Sequence, residues 1–191
     1  MNLNFFLLLF SFSLFAKDSF VGEVLTYQAG FRFFSAGEAI LSFSSDTLAG
    51  DSVYSLKADI KTNSFLDRFY KVRDNIKMWM SPIDYSLLKV EKNILEGNYI
   101  KKHKAEIDYL KNIIYFGKKK LIIDKPVFDP LSIIYKIREK MDFNNLQFNA
   151  TIYDMGKLKQ VLFKVDKKES IIVPYGSFNC IVISPHSVGN N

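Results

Sequence analysis

The sequence is poor in the residues that crosslink chains, bind metals or break regular structure. It has one cysteine, two histidines, five prolines and nine glycines in 191 residues. A single cysteine cannot form an intrachain disulfide, which excludes a disulfide-rich scaffold, and the low glycine content excludes a collagen-like chain. Histidine and cysteine do not occur at zinc-binding spacing, and no nucleotide-binding glycine motif is present. We therefore expect no metal and no cofactor.

Catalytic signatures are also missing. No GxSxG nucleophile turn and no GxxxxGK[ST] phosphate-binding loop occurs. His103 lies in the basic run 101–104, which is typical of a solvated strand, and His186 follows Pro185 near the end of the sequence. The carboxylates show no spacing that indicates an acid–base pair. We expect a protein that is not an enzyme, with an unrecognised hydrolase as the least favoured alternative.

The composition indicates a globular domain. Apolar residues make up 48% of the chain, aromatic residues 15% and charged residues 24%. Disordered chains are depleted in aromatic residues, so they are excluded. The length suits one domain with a substantial core.

The N terminus has the pattern of a secretory signal peptide. The first sixteen residues carry no charged side chain, and the run from Phe5 to Phe15 is interrupted only by Ser11 and Ser13. A bilayer span needs about 20 apolar residues, so this run is short for one. We expect cleavage near Ala16, with residues 1–16 removed and residues 17–191 forming a single exported, periplasmic domain. A retained N-terminal anchor is the alternative.

Alternation of apolar and polar residues dominates the rest of the chain. The runs 39–43, 54–60, 72–80, 146–152 and 161–165 place apolar residues at every second position, with Asp74 as the exception in 72–80. Turn signals separate them, as in Ala49-Gly50-Asp51 and Glu96-Gly97-Asn98. The pattern predicts a mainly β fold, an antiparallel curved sheet forming an open barrel or sandwich of roughly ten strands. Cys180 lies in such a run, which predicts a buried thiol.

One segment has helical spacing instead. Apolar residues from Leu131 to Met141 recur every three or four positions, and they include Ile134 and Ile137. Asp129 is a good N-cap and Pro130 a good first helical residue. We expect one helix of about three turns, packed on the sheet.

Lysines and aromatic residues are the other notable groups. Lys101, Lys102 and Lys104, together with Lys118 to Lys120, are expected to gather at one end of the sheet, where they suit anionic lipid headgroups and peripheral membrane contact. Lysines that only protect turns and edge strands are the alternative. Phe65, Phe69 and Tyr70 add to an aromatic load that indicates either a solid core or an apolar cavity. Nucleic acid is not an expected partner.

Five short motifs together suggest a family. They are Gly22–Tyr27, Ser35–Ala39, Phe69–Asp74, Asp129–Ser132 with Tyr135 and Arg138, and Val173–Gly176. In this order and spacing they resemble the bacterial exported family catalogued as domain of unknown function 3108. The resemblance implies an envelope protein with a mostly antiparallel β fold, one helix and no established activity. It also implies a further strand pair after Pro185, so we expect either a truncated C terminus or an unpaired sheet edge.

Four charged residues in these motifs suggest an ion-pair cluster. Arg73 and Asp74, with Asp129 and Arg138, are expected to dock the helix on the sheet, so that Arg138→Ala destabilises the domain. The alternative is a polar cluster that contacts a ligand, and with Tyr135 these residues are candidate ligand contacts.

Two functions remain open. The leading hypothesis is a non-enzymatic periplasmic domain that binds an apolar or amphipathic envelope component such as lipid, with Lys101, Lys102 and Lys104 at the mouth of its site. The alternative is a protein-interaction or envelope-assembly factor with a solid core and no small ligand, which binds an envelope protein through an exposed sheet edge.

Overall fold

The computed structural model describes residues 20–31, 34–139 and 147–188. The predicted signal peptide, residues 1–16, lies outside the described residues. Within these ranges no helix combines the length and apolar character that a bilayer span requires.

The larger sheet is an antiparallel meander of eight strands. They are β1 (Val24–Phe31), β2 (Phe34–Leu48), β3 (Asp51–Thr62), β4 (Arg73–Met80), β5 (Leu87–Glu96), β6 (Tyr99–Asp108), β7 (Ile113–Phe116) and β8 (Lys119–Ile122). Each strand pairs with the next in the chain, and short turns join most of them, while a longer connection, residues 63–72, joins β3 to β4. β1 and β8 do not pair with each other, so the sheet is open.

The smaller sheet has the order β12-β11-β10-β9. Its strands are β9 (Val127–Phe128), β10 (Gln147–Asp154), β11 (Lys157–Val173) and β12 (Gly176–Ser187), and only the β9–β10 pair is parallel. A helix, α1 (Ser132–Glu139), follows β9, and a single 3-10 turn (Leu66–Arg68) precedes β4. The predicted class, an open antiparallel β fold with one helix, is confirmed, although the described residues form twelve strands rather than ten.

The helix packs between the two sheets. One face of the large sheet, here called the inner face, carries the buried residues Phe43, Leu56 and Met78. Tyr135 of α1 packs against this face, with its ring centroid 4.6 Å from that of Phe43. Ile133 and Ile137 point the other way and pack with β10 and β11. Aromatic rings therefore fill the middle of the inner face, and this part of the core is solid.

The start of α1 follows the prediction. Asp129 Oδ1 accepts a hydrogen bond from the Leu131 amide at 3.0 Å, and Ser132 Oγ accepts one from the Asp129 amide at 2.9 Å. Two amides that lack helical partners are thereby satisfied. The described helix has eight residues, shorter than the three turns expected, and Met141 lies outside the described residues. Ile133 is buried while Ile134 is partly exposed, which corrects the predicted apolar face.

Two groups predicted to be buried are more exposed than expected. Phe65, Phe69 and Tyr70 lie in the connection between β3 and β4, outside both sheets, and all three are exposed. Cys180 is only partly buried, because the part of β12 that carries it projects beyond the core. Regular spacing of apolar residues does not by itself bury a segment, because burial also requires another element that packs against it.

Candidate functional site

One row of side chains crosses the inner face near one end. We call this the open end, because the aromatic rings that fill the middle of the face do not reach it. Strand register aligns Tyr27 with Ala39, Ala39 with Ile60, and Ile60 with Asp74, and further along it aligns Ile94 with Lys101. Side chains of paired residues lie on one face, so this row contains two of the predicted site residues, Asp74 and Lys101.

A cleft of about 230 Å³ opens at this end of the inner face. We call it the open-end cleft. Tyr27, Ile60 and Val72 supply apolar wall, and small residues such as Ala39 leave the space. The volume is below the roughly 300–1,000 Å³ of pockets that enclose a whole small molecule. A site of this size suits one end of a ligand.

Gly37 allows two strands to approach closely beside the cleft. A Cβ atom at this position would collide with the backbone carbonyl oxygen of Lys61 on β3. Glycine is therefore required by the contact, and the wall of the cleft depends on it.

Tyr135 and Arg138 lie together on α1. The guanidinium of Arg138 donates two hydrogen bonds to Glu23, at 2.7 and 2.5 Å, and stacks 4.4 Å from the Phe20 ring centroid. The Arg138 hydrogen bond holds the pKa of Glu23 below its usual value. Burial raises the pKa of the Tyr135 hydroxyl, and the charge of Glu23 adds to this. Arg138 therefore pairs with Glu23 and not with Asp74 or Asp129, the partners that the sequence predicted.

Asp74 is buried at the junction of β4 and β5. Its Oδ1 accepts a hydrogen bond from the Leu95 amide at 3.0 Å. This side chain satisfies an amide where the regular ladder stops at Asn75–Asn93 and resumes as an isolated bridge at Val72–Glu96. Asp74 therefore holds the strands that carry the row.

The predicted four-residue ion-pair cluster is wrong. Arg73 pairs with Asp67 at 2.5 Å, in the connection before β4. Asp129 pairs with Lys92 and Arg138 with Glu23, and Asp74 is occupied by a backbone amide. Arg73 and Asp74 are adjacent in a strand, so their side chains point to opposite faces and cannot join one cluster.

The three predicted site lysines of β6 do not form one patch, because they lie on two faces of the strand. Lys102 and Lys104 are exposed on the outer face of β6, and Lys104 pairs with Glu106 at 3.3 Å. Lys101 shares the inner face with His103 and is partly buried. Across the described ranges no carboxylate lies within ion-pair distance of Lys101. It is the lysine of the three that faces the same side as the open-end cleft.

Lys92 was missed from the sequence. Its Nζ lies 2.7 Å from Asp129 Oδ2 and 2.7 Å from Asp154 Oδ1. Burial opposes its charge, but the two carboxylates hold its pKa above the ordinary value. On the same side, His103 Nε2 and the Tyr153 hydroxyl are 2.9 Å apart. The signal was available, since Lys92 interrupts an otherwise apolar alternation between Val90 and Ile94.

A comparison with protein families decides the relationship. Residues 26–191 match the family described as a protein of unknown function, DUF3108. The chain belongs to the DUF3108 family. The resemblance noted in its sequence motifs is thereby confirmed over most of the chain, and the family description assigns no activity.

A search of solved structures supports the fold. The chain is similar to a β-barrel-like protein of the domain of unknown function DUF1849 from Brucella abortus, seen in a crystal structure. The TM-score is 0.55 at 10% sequence identity, and the alignment covers 81% of this DUF3108 chain and 70% of the other. At this identity the likeness concerns the fold alone. A search of curated proteins found no match.

Proposed function

We propose that this DUF3108 protein is a non-enzymatic periplasmic domain that binds an apolar or amphipathic envelope component, such as a lipid, at the open-end cleft. The observation that carries the proposal is the contrast along the inner face. Its middle is filled by the rings of Phe43, Tyr85 and Tyr135, whereas its open end leaves Tyr27 and Ile60 lining an apolar cleft. Binding by burial requires no reactive group.

Lys101 gives the proposed site a polarity. It lies two strands beyond Asp74, about 10 Å away at the usual strand spacing. A ligand with its apolar end in the cleft would extend its polar end along the row towards this ammonium group. An anionic headgroup is therefore favoured over a neutral one.

Calorimetric titration with lysophosphatidylglycerol, a single-chain anionic lipid, tests the proposal below the micelle concentration. Ala39→Phe fills the cleft, and we expect it to weaken binding by about tenfold or more. Ile40→Phe is the matched control, because Ile40 is the next residue and points to the outer face. Lys101→Gln should weaken binding of the anionic lipid but not of lysophosphatidylcholine, and Lys102→Gln should affect neither. Equal affinity of wild type and Ala39→Phe would overturn the site.

The edge of β1 supports a second candidate, a protein-interaction or assembly factor. β1 is an edge strand whose eight residues, Val24–Phe31, include no charged residue and no proline. Natural edges are usually protected by such residues, and an unprotected edge can pair with a strand of another protein. Crosslinking in the envelope fraction discriminates the two, since a stable protein adduct through β1 without bound lipid would favour the assembly role.

A further inference from the structure

The distal half of the β11–β12 hairpin projects from the protein. We call residues 166–183 the arm. A register shift between Val165 and Lys167 marks its base, and before that point Phe163 is buried in the core. From residue 166 to residue 179 every residue but one is exposed. Seven residue pairs, from Lys167–Val182 to Val173–Gly176, join the two strands of the arm, so the arm is a regular hairpin whose faces lack a covering element among the described residues.

The tip of the arm is apolar on one face and carries one large apolar residue, Ile172, on the other. Ile171 pairs with Phe178 on one face, and Ile172 pairs with Ser177 on the other. Ile172 is 86% exposed and Tyr175, in the turn, is 92% exposed. The Tyr175 and Phe178 rings stack with centroids 6.3 Å apart. Large exposed apolar groups gathered in one place mark an interaction surface.

Charge is separated along the same hairpin. From Ser170 to Ser184 there is no Asp, Glu, Lys or Arg. Nearer the core, β11 carries five lysines and two acidic residues: Lys157, Lys159, Lys164, Lys167, Lys168, Asp166 and Glu169. Both acidic side chains have partners, since Asp166 accepts from Ser184 and Glu169 pairs with Lys167 at 2.7 Å. The tip of the arm is therefore uncharged and its base carries two lysines and two acidic residues, while the excess of three lysines lies on the part of β11 nearer the core.

We propose that the arm inserts its tip into the interfacial layer of an anionic lipid bilayer, while the lysines behind it contact the headgroups. Apolar residues on both faces suit a medium that surrounds the tip, whereas a protein groove or a second copy would cover one face. Tyrosine is favoured at the boundary between headgroups and acyl chains. The free edges of the hairpin cannot enter hydrocarbon without unsatisfied backbone groups, so insertion is shallow.

This membrane contact is separate from the open-end cleft, which lies on the other sheet. Its test is co-sedimentation of the mature chain with vesicles of phosphatidylglycerol and phosphatidylcholine. Ile172→Ser combined with Tyr175→Ser should lower the partition coefficient by about tenfold or more. The matched control is Ile83→Ser combined with Leu110→Ser, which removes equally exposed apolar groups elsewhere (83% and 99% exposed) and should partition as wild type.

A fluorophore locates the contact. Cys180→Ser removes the only cysteine, and an environment-sensitive dye is then attached at Tyr175→Cys or, as control, at Leu110→Cys. We expect a blue shift with anionic vesicles at position 175 alone, weakened by added salt. Absence of vesicle binding, or an equal shift at both positions, would overturn the proposal. So would self-association in size-exclusion chromatography that the Ile172→Ser and Tyr175→Ser changes abolish, because the arm would then join two copies of the chain.

Discussion

Lys92 on β5 reaches Asp129 at the start of α1, with its Nζ 2.7 Å from the Asp129 Oδ2. Both side chains are almost fully buried. The pair links the large sheet to the residue that caps the helix, so the packing of α1 on the inner face and the capping of α1 depend on one carboxylate. The helix in turn fills the middle of the inner face and leaves the cleft at its open end.

We predict that Asp129→Ala destabilises the domain by about 3–5 kcal/mol, because it leaves the Lys92 charge buried without its principal partner and removes the helix cap. Asp154→Ala is the matched control. Asp154 contacts the same ammonium at the same distance, but its side chain is 51% exposed, so its loss should cost about 1 kcal/mol or less. Urea unfolding measures both values. Equal costs for the two variants would contradict the account.

Arg138→Ala should lower the free energy of unfolding by about 2–3 kcal/mol, since it breaks the two hydrogen bonds to Glu23 and the stacking on Phe20. Arg138→Lys keeps the charge but loses the paired geometry, and an intermediate value is expected. Lys136→Ala on the same helix removes only a peripheral pair with Glu139 and should change stability by about 0.5 kcal/mol or less. An unchanged melting temperature for Arg138→Ala would remove Arg138 from the docking contact.

The same pair predicts a pH dependence. Hydrogen bonds from Arg138 lower the pKa of Glu23 in the folded state, so folding is favoured when Glu23 is ionised. This contribution is present above the unfolded pKa of about 4.3 and is lost as pH falls through the lower folded value. Urea midpoints at pH 6 and pH 3.5 should therefore differ less in Glu23→Gln than in wild type. An equal pH difference in the two proteins would contradict this contribution of Glu23.

Gly37→Ala should destabilise the domain by about 1–3 kcal/mol, because the added methyl group meets the carbonyl oxygen of Lys61 and forces β2 and β3 apart. Backbone strain cannot be the cause, since Gly37 has no positive φ. Hydrogen exchange should show faster exchange at the β2–β3 amides near Thr62 and unchanged exchange in β5 and β6. If Gly37→Ala has the same free energy of unfolding as the wild type, the two strands can separate at no cost and the account is contradicted.

The strands could be predicted because each is encoded locally. Alternation over eight or more residues identifies β3 and β4, and turns with glycine or proline, such as Gly50 between β2 and β3 and Pro82 between β4 and β5, join most neighbouring strands into a meander. The Asp129 cap could be identified for the same reason. Lys92 carried a usable signal, a charge at an apolar position, because such a residue needs a buried partner.

Other contacts had no local signal. Glu23 and Arg138 are 115 residues apart, and nothing in either neighbourhood specifies the other. The arm shows a further limit, since Ile171–Val173 and Phe178–Val182 have the composition of core strands. Whether such a strand is buried depends on a covering element, and alternation within the strand does not reveal one. The predicted Arg73–Asp74 cluster failed because strand geometry separates neighbouring side chains.

Native mass spectrometry of the protein, purified gently from the cells that produce it, tests ligand binding at the open-end cleft most directly. We predict a reproducible adduct of lipid mass that organic extraction removes, that Ile40→Phe retains and that Ala39→Phe loses. A wild-type protein that carries no adduct, or an adduct that persists at the same level in Ala39→Phe, would contradict the account.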